Sequence, residues 1–366
     1  MIAIAGPIIE DDEIKAVNDV LASGIIAQGP RVAELEERFA AYCGTKYAVA
    51  LNSGTAAIHT ALHIAGVTDG DEVITTPFSF IATINPIIMC GAKPVLADID
   101  PTTFNIDINN IEKLVTKKTK AIVAVDLYGQ PCDWDGLRDI AKKNQLILIE
   151  DSCQSIGAEY KGKKTGSLGD IGCFSLYATK NIMCGEGGMI TTDNEGYYHA
   201  AKRFRQHGMS GPYEYSGLGY NYRMTDLQAA IAIEQLKKVD KFNSKRNDNA
   251  KLLSEGLSNI KGIVLPILIP DRTHAYHQFT VRVTSDFPMT RAEFVDFLNK
   301  NQIGAGVYYP KPLHAYDHVS KFGYEIGDFP VAEQASSEVV SLPVHSMVSK
   351  DDIAQIINVI KEASNE

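Results

Sequence analysis

Short apolar runs rich in β-branched residues alternate with helical patterns along the first half of the chain. The runs predict strands at Tyr47–Leu51, Glu72–Thr75, Pro94–Asp98, Ala121–Asp126 and Leu146–Glu150. Apolar residues at three-to-four spacing predict helices between them, at Thr55–Ala65 and Trp134–Asn144. Strands that alternate with helices form a mostly parallel sheet with helices on both faces. The first half is therefore predicted to be an α/β unit.

The second half has a different pattern, which begins after Ile190. A long helix is predicted at Thr225–Leu257, where strong helix formers are frequent. The stretch Pro266–Thr273 is typical of a linker, and beyond it one strand and two helices are predicted at Gln278–Val283, Arg291–Asn301 and Asp351–Ala363. Because 366 residues exceed the size at which one core keeps growing, we predict two domains. A large α/β domain covers residues 1–245, and a smaller α+β domain covers residues 246–366.

Charge and cysteine usage exclude several classes of protein. The formal net charge of −10 argues against a nucleic-acid or anionic-membrane surface. The segment Met1–Pro7 lacks the basic start of a signal peptide, and no apolar run approaches the length of a membrane span. The six cysteines are scattered, with no C-x-x-C pair. This pattern predicts reduced thiols and a cytoplasmic location.

Lys180 stands between an apolar, strand-like approach, Phe174–Tyr177, and the glycine-rich segment Gly185–Gly188. Glycines let the backbone turn tightly and let a ligand approach closely. A lysine held there is partly desolvated, which lowers its pKa from about 10.4 and makes the neutral, nucleophilic amine accessible. An isolated lysine is usually a surface charge, but these surroundings favour Schiff-base chemistry. We predict that Lys180 is catalytic.

Asp151 ends the apolar run that begins at Leu146. A carboxylate in this position often caps a turn, yet ligands of open α/β sheets bind at the carboxyl ends of strands. Pyridoxal 5'-phosphate (PLP) needs an anion that keeps its pyridine nitrogen protonated, so that the ring acts as an electron sink. We predict this catalytic role for Asp151. Gln154, one turn further on, is predicted to donate to the phenolate oxygen of the cofactor ring.

A phosphate site is predicted at Asn52–Ala57, which follows a strand and opens a helix. Ser53 is a typical N-cap residue. Helix N-termini bind phosphate through their free amides, so Gly54 and Thr55 are candidate donors. Ser175, five residues before Lys180, is a further candidate, although it could equally be an ordinary strand serine.

Several segments, in order along nearly the whole chain, resemble the DegT/DnrJ/EryC1/StrS family of PLP-dependent nucleotide-sugar aminotransferases. The matching segments are Gly29-Pro30 with the helix after it, Asn52–Ala56, Thr76–Thr83, Ile149–Gln154, Ser175–Lys180, Gly185–Gly188, Gly219–Met224 and Tyr308–His314. The resemblance implies the aspartate-aminotransferase fold, PLP fold type I, with a large mostly parallel sheet domain and a smaller C-terminal α+β domain. It also implies that Lys180 holds PLP as a Schiff base.

By position, the resemblance implies further contacts. Phe80 stacks on the cofactor ring, while Gly54, Thr55 and Ser175 hold its phosphate. Asn221 and Arg223 match residues that reach the active site of the second subunit, which implies a homodimer with shared active sites. The predicted substrate contacts are Arg223, Tyr309 and His314. Arg223 suits recognition of carboxylate or phosphate oxygens, with a structural ion pair as the alternative.

Two points separate this chain from some members of the family. The segment often seen as Glu-Asp-Ala-Ala-Gln reads Glu150-Asp-Ser-Cys-Gln154 here, an exchange of small apolar for small polar residues that should be tolerated. Relatives with His in place of the Schiff-base lysine are dehydratases, and Lys180 argues against that subclass.

Other motifs match known sites only in part. Gly157–Lys164 lacks the hydroxyl residue that ends a P-loop and is predicted to be a polar hairpin. The spacing within Gly166–Gly172 differs from the dinucleotide fingerprint, which disfavours a nicotinamide dehydrogenase. His59 and His63 are four residues apart, but Thr60 stands where H-E-x-x-H has its glutamate. We predict no metal site.

The function that follows is transamination of a nucleotide-linked keto sugar, a step of amino-sugar and polysaccharide biosynthesis. The family resemblance implies an amino acid donor, with L-glutamate expected, and the segments Gly185–Gly188 and Gly219–Met224 favour 4-keto over 3-keto sugars. Two alternatives stay open. One is a regulatory protein that keeps the PLP fold with little turnover, and the other is a PLP lyase.

Overall fold

The computed structural model describes residues 1–365. A seven-stranded sheet dominates it. Its strands and those of three smaller sheets are β1 Tyr47–Leu51, β2 Glu72–Thr75, β3 Lys93–Leu96, β4 Thr119–Val125, β5 Ile147–Asp151, β6 Glu159–Tyr160, β7 Lys163–Lys164, β8 Ile171–Ser175, β9 Gly188–Thr192, β10 Met209–Gly211, β11 Glu214–Tyr215, β12 Ile263–Val264, β13 Phe279–Val283 and β14 Val339–Leu342.

Helices surround the sheets. They are α1 Asp11–Ser23, α2 Pro30–Cys43, α3 Gly54–Ile64, α4 Asn85–Met89, α5 Trp134–Asn144, α6 Glu195–Phe204, α7 Asp226–Leu257, α8 Arg291–Lys300, α9 Asp317–Ser320, α10 Pro330–Glu338 and α11 Lys350–Ala363. Short 3-10 turns lie at Ile81–Thr83, Ile108–Asn110, Glu112–Leu114, Leu127–Gly129 and Leu313–Ala315. In residues 1–365 no helix has the length and the apolar character required to cross a membrane.

The large sheet has the strand order β1-β9-β8-β5-β4-β2-β3. The strands β8, β5, β4, β2 and β3 pair in parallel, and only β9 runs against its neighbours β1 and β8. This confirms the predicted mostly parallel α/β sheet. Because β9 is antiparallel to both neighbours, β1 and β8 run in the same direction as β5. The carboxyl ends of β1, β2, β5 and β8 therefore lie at one edge, which positions the residues that follow each strand.

The predicted elements of the first half occur with small shifts in their ends. Strands β1 and β2 and helix α5 have the predicted bounds. Strand β5 is one residue later than predicted, so Asp151 is its last residue and pairs with Cys173 of β8. The predicted polar hairpin at 157–164 is the two-stranded sheet β6-β7. Strand β9 was missed, since its Gly188–Thr192 sequence directly follows the glycine-rich turn and gives a short apolar run.

Helix α7 joins the two halves. Its N-cap Thr225 accepts from Gln228 N, and the Gln228 side chain accepts in return from Thr225 N, so a capping box begins the helix. Its first part packs in a core with α2 and β1, which includes Phe242, whereas Ala250 and later residues pack with β13 and β14. The boundary that we predict at residues 245/246 thus falls inside one continuous helix. The C-terminal sheet β12-β13-β14 is antiparallel and carries α8 and α11.

Candidate active site

A cavity of about 600 Å³ lies at the edge of the large sheet where β1, β5 and β8 end. It brings together seven of the residues that the sequence predicts for the site, namely Gly54, Phe80, Asp151, Gln154, Ser175, Lys180 and Tyr309. They come from segments that are far apart in the chain. The shared direction of β1, β2, β5 and β8 explains the convergence of six of them, since these strands end at the same edge, whereas Tyr309 reaches the cavity from the C-terminal part of the chain.

Asp151 is held rigidly beneath the cavity. Its side chain is 3% exposed, and Thr83 Oγ1 donates to its Oδ2 at 2.8 Å. The Ser79 hydroxyl lies 2.9 Å from Thr83 Oγ1 and donates to it, since the Thr83 hydrogen is already used. Cys153 N donates to the other carboxylate oxygen at 3.3 Å. The carboxylate therefore has a fixed orientation in a water-poor environment.

Lys180 follows β8 in a turn closed by its own backbone N–H, which donates to Tyr177 O at 2.9 Å. The side chain is half-buried and lines the cavity. Within residues 1–365 its amine makes no hydrogen bond and no ion pair. Burial lowers the pKa of Lys180 below its ordinary value, while the neighbouring Cys153 and Asp151 act in the opposite direction. Burial thus favours the neutral form of the amine at the cavity wall.

Gln154 and Tyr309 form a second, polar side of the cavity. Tyr128 N donates to Gln154 Oε1 at 2.9 Å, which turns the amide nitrogen toward Tyr309. That nitrogen donates to the Tyr309 hydroxyl at 3.2 Å. Burial raises the pKa of Tyr309, so its hydroxyl stays protonated. Phe80 is 55% exposed, an unusual position for a phenylalanine, and its ring centroid lies 6.1 Å from that of Tyr309.

The start of α3 packs directly on the end of β8. Ser53 caps the helix through its side chain, which accepts from Ala56 N at 3.1 Å. A Cβ on Gly54 would lie 2.7 Å from Ser175 Cβ, so only glycine lets the helix N-terminus approach the Ser175 side chain this closely. The free amides of the first turn and the Ser175 hydroxyl together provide hydrogen-bond donors for an anion. Thr55 is half-buried beside them and does not line the cavity.

Glycines behind this turn serve packing more than ligand approach. Gly185 has a φ of 84°, a left-handed conformation that favours glycine. A Cβ on Gly188 would lie 2.1 Å from the Ser53 carbonyl oxygen. The glycine-rich segment therefore lets β9 lie against the turn before α3, and so supports the predicted phosphate donors from below.

Asn221 and Arg223 do not line the cavity of the single chain. Their segment lies beside the turn that precedes α3, since Asn52 N donates to Tyr222 O at 2.9 Å and Asn52 Nδ2 donates to Asn221 O at 3.3 Å. The Asn221 side chain is exposed and Arg223 is half-buried. Neither side chain makes a hydrogen bond or an ion pair within the part of the chain that the structure describes.

His314 was predicted to contact the substrate, and its placement does not favour that role. The side chain is fully buried, and its Nε2 lies 3.0 Å from Glu333 Oε1. Its ring packs against Phe329 with a centroid distance of 4.8 Å. The 3-10 turn at Leu313–Ala315 directs the imidazole into this packed cluster and away from the cavity.

Several residues of the cavity were missed. Thr83 lies within the segment Thr76–Thr83, which resembles the family. Its hydrogen bond to Asp151 depends on the conformation of the turn after β2, which the sequence does not give. His277 and Gln278 line the cavity from the start of β13. No signal in the sequence places that strand next to Lys180, because the contact joins residues about a hundred positions apart through tertiary packing.

Ser152, the departure noted in the sequence, lies between two buried carboxylates next to Asp151. Its hydroxyl is 2.5 Å from Glu150 Oε1 and 3.3 Å from Asp126 Oδ2. Burial raises the pKa of both Glu150 and Asp126. Backbone N–H groups of residues 166, 168 and 169 also donate to Glu150. The serine hydroxyl therefore adds a hydrogen bond to a buried acidic pair, which an alanine would not provide.

Comparison with known proteins gives one consistent family. A family model described as the DegT/DnrJ/EryC1/StrS aminotransferase family matches residues 7–361. The spore coat polysaccharide biosynthesis protein SpsC of Bacillus subtilis is 38% identical, over 97% of this chain and 95% of that protein. A pleiotropic regulatory protein of Geobacillus stearothermophilus is 39% identical, over 95% and 93% of the two chains.

A relative with a named product is the GDP-perosamine synthase of Caulobacter vibrioides, which is 36% identical over 97% of this chain and 96% of that protein. Among solved structures, a Streptococcus pneumoniae protein in its PLP form superposes with a TM-score of 0.94 at 30% identity, over 100% of this chain and 98% of that chain. The family match and the structural match thus both cover nearly the whole chain.

Proposed function

Because the chain belongs to the DegT/DnrJ/EryC1/StrS aminotransferase family and is an aminotransferase, we propose that it transfers an amino group from an amino acid to a keto sugar linked to a nucleoside diphosphate, with PLP bound to Lys180. One observation carries the proposal. The amine of Lys180, which has no partner in the described part of the chain, shares a cavity with the buried carboxylate of Asp151. The GDP-perosamine synthase relative supports a nucleotide-linked acceptor.

The residues of the cavity fit PLP. Lys180 would hold its aldehyde carbon covalently, and Asp151 would face the pyridine nitrogen. The amide of Gln154 would donate to the phenolate oxygen. The start of α3 and the Ser175 hydroxyl would hold the phosphate, and the missing Cβ of Gly54 lets these two groups of donors lie side by side. Thr55 completes this set as a neighbouring hydroxyl donor, and the exposed ring of Phe80 would cover the face of the cofactor.

When bound, PLP supplies a carbon that takes the amino group and a protonated ring that accepts electron density from the substrate. The protein supplies the proton transfers and the orientation. Once the substrate amino group has replaced it on the cofactor, the free amine of Lys180, with its lowered pKa, would take a proton from the substrate carbon that bears the amino group and pass it to the former aldehyde carbon. Asp151 would hold the proton on the pyridine nitrogen through its charge. Thr83 keeps that carboxylate in place.

We assign L-glutamate as the amino donor and a 4-keto sugar as the acceptor, in line with the family resemblance. Within the same chain, we propose that Tyr309, whose protonated hydroxyl lines the cavity, contacts the substrate. Arg223 is our candidate for an anionic group of the substrate, since a guanidinium binds carboxylate or phosphate oxygens with two parallel hydrogen bonds. His314 is left out of this assignment because of its burial.

The active unit that we propose is a homodimer in which Asn221 and Arg223 act in the neighbouring site. Their loop carries three exposed aromatic or apolar side chains, Tyr213 at 85%, Leu218 at 69% and Tyr215 at 60%. Grouped apolar side chains on a surface favour a protein interface. A cytoplasmic location is also part of the proposal and rests on the six cysteines, which the structure leaves unpaired.

The direct test incubates the PLP-loaded protein with L-glutamate and a panel of nucleoside-diphosphate keto sugars, 3-keto and 4-keto. We expect 2-oxoglutarate from the first half of the reaction and an amino sugar nucleotide from a 4-keto member of the panel. The Lys180→Ala variant is the control and should form neither product. Formation of 2-oxoglutarate without any amino sugar would refute the sugar assignment and leave the donor assignment standing.

A regulatory role is the second candidate, and the name of the Geobacillus stearothermophilus relative favours it. The same experiment separates the two candidates. A regulator that keeps the fold would hold PLP and yet release no 2-oxoglutarate with any amino acid. A PLP lyase would release products of bond cleavage in place of a transferred amino group.

A further inference from the structure

His277 is a buried histidine whose environment fixes its chemistry. It lies just before β13 and lines the cavity. Its segment is pinned by backbone hydrogen bonds on both sides, from Ala275 N to Gly129 O at 2.8 Å and from Gln278 N to Tyr128 O at 3.3 Å. The backbone of His277 is therefore fixed at the cavity wall, and the contact of its Nδ1 with Asn181 Oδ1 orients the imidazole.

A chain of amides determines which imidazole nitrogen carries hydrogen. Asn243 Nδ2 donates to Ile156 O at 2.8 Å, so Asn243 Oδ1 points to Asn181. Asn181 Nδ2 donates to that oxygen at 2.9 Å and to Ala275 O at 2.7 Å. Both amide hydrogens of Asn181 are then used, and its Oδ1 lies 3.2 Å from His277 Nδ1. Since an amide oxygen only accepts, Nδ1 carries the hydrogen.

The other nitrogen, Nε2, then has a free lone pair. Within residues 1–365 it has no hydrogen-bond partner, and it is not among the fully enclosed unpaired atoms. The residue is 8% exposed, so the small exposed part opens into the cavity. Burial, and then the positive charges of Lys180 and Arg246, lower the pKa of His277 well below its ordinary value. The ring stays neutral at physiological pH.

We propose that His277 binds the substrate through Nε2, which accepts a hydrogen bond from an N–H or O–H group, and that Asn181 positions it. The inference rests on the proposed function, because it requires a substrate that carries such a donor. Two sources have this chemistry, the amino group of the donor amino acid and a hydroxyl of the sugar. A substrate without a donor at this point would leave a buried acceptor unpaired.

Two substitutions separate substrate binding from a structural role. In His277→Asn the side-chain amide can still donate to Asn181 Oδ1, but nothing replaces Nε2. In His277→Gln the longer side chain places an amide oxygen near the position of Nε2 and loses the contact to Asn181. KM and kcat are measured for L-glutamate and for the accepted keto sugar, with the thermal midpoint of each variant as the control for folding.

We expect His277→Asn to raise KM for one of the two substrates by roughly five- to tenfold, the loss of one hydrogen bond. His277→Gln should stay within about threefold of wild type. The substrate whose KM rises identifies the source of the donor. The inference would be overturned if KM stayed at the wild-type value in His277→Asn but rose in His277→Gln. It would also be overturned if KM rose equally in both variants, or if His277→Asn left KM unchanged for both substrates. A wild-type protein that transfers no amino group would refute the proposed function itself, and this inference with it.

The tautomer gives a readout that does not depend on activity. In protein labelled with ¹⁵N-histidine, the signal that disappears in either variant belongs to His277. We expect Nδ1 to be protonated and Nε2 to be unprotonated between pH 6 and 8. A protonated Nε2 in the wild-type protein would overturn the inference even if both variants lost activity.

Discussion

Thr83 Oγ1 donates to Asp151 Oδ2 at 2.8 Å, beneath the cavity and out of reach of bulk water. Through this bond the turn after β2 fixes the carboxylate at the end of β5. The pairing joins two segments of the chain that the sequence singled out separately. It explains how a carboxylate can keep one orientation in a cavity large enough for a cofactor.

Thr83→Val removes this hydroxyl with little change in volume. We expect kcat to fall roughly ten- to hundredfold, because a hydrogen bond to a charged group contributes about 1.5–3 kcal/mol. Steady-state kinetics with saturating PLP measure it. The matched control is Thr60→Val, since Thr60 is equally buried and its hydroxyl has no partner among residues 1–365. Equal kcat values for the two variants would show that the hydrogen bond from Thr83 to Asp151 does not support catalysis.

The Asp151→Asn variant should keep the fold, lose most of its turnover and shift the titration of Lys180. The negative charge of Asp151 acts to raise the pKa of Lys180, against the larger effect of burial. Loss of that charge should therefore lower the pKa of Lys180 further, so that the amine becomes neutral at a lower pH. The pH dependence of PLP uptake by the cofactor-free protein measures the shift. A curve that moves to higher pH would contradict the assignment.

Ser152→Ala tests the buried acidic pair. The hydroxyl near Glu150 and Asp126 is lost, and we expect the free energy of unfolding to fall by about 1–3 kcal/mol. Denaturant unfolding of the PLP-loaded protein measures this. The control is Ser337→Ala, an exposed helix serine that donates only to a nearby carbonyl and should change the free energy by less than about 0.5 kcal/mol. Similar values for both variants would show that the pair does not need Ser152.

The shared-site homodimer is tested by complementation. Lys180→Ala and Arg223→Ala should each be inactive alone, whereas a mixture that forms heterodimers should regain part of the activity. One of its two sites then holds both intact residues, as expected for a closed twofold arrangement. The control mixes each variant with itself. If heterodimers form and no activity returns, Arg223 serves its own subunit.

The large sheet could be predicted from the sequence because periodicity is a local property. Strands β1 and β2 and helix α5 have the predicted bounds, and Asp151 lies at a strand end as expected. The antiparallel strand β9 was missed, since its short apolar run, Gly188–Thr192, directly follows a glycine-rich turn. Its place between β1 and β8 depends on the glycine turn before it, which lets Gly188 touch Ser53.

The residues of the candidate site could be predicted only where they lie in contiguous sequence motifs. Asp151 and Ser175 end strands β5 and β8, Lys180 follows β8, and general rules place ligands where such strand ends converge. His277 could not be predicted as a site residue from a local pattern, because its role depends on packing between the start of the β13 segment and the turn after β8. His314 belongs to a contiguous motif and still points into the Glu333 and Phe329 cluster. Membership in a motif does not determine the direction of a side chain.

The central claim is that PLP binds covalently to Lys180. The measurement is borohydride reduction of the PLP-loaded protein, followed by proteolysis and mass analysis of the modified peptide. We expect the reduced cofactor on Lys180, in the peptide that contains the segment Ser175–Lys180, and no covalent cofactor in Lys180→Ala. Reduced cofactor on a different lysine of the wild-type protein, or none on any lysine, would contradict the account.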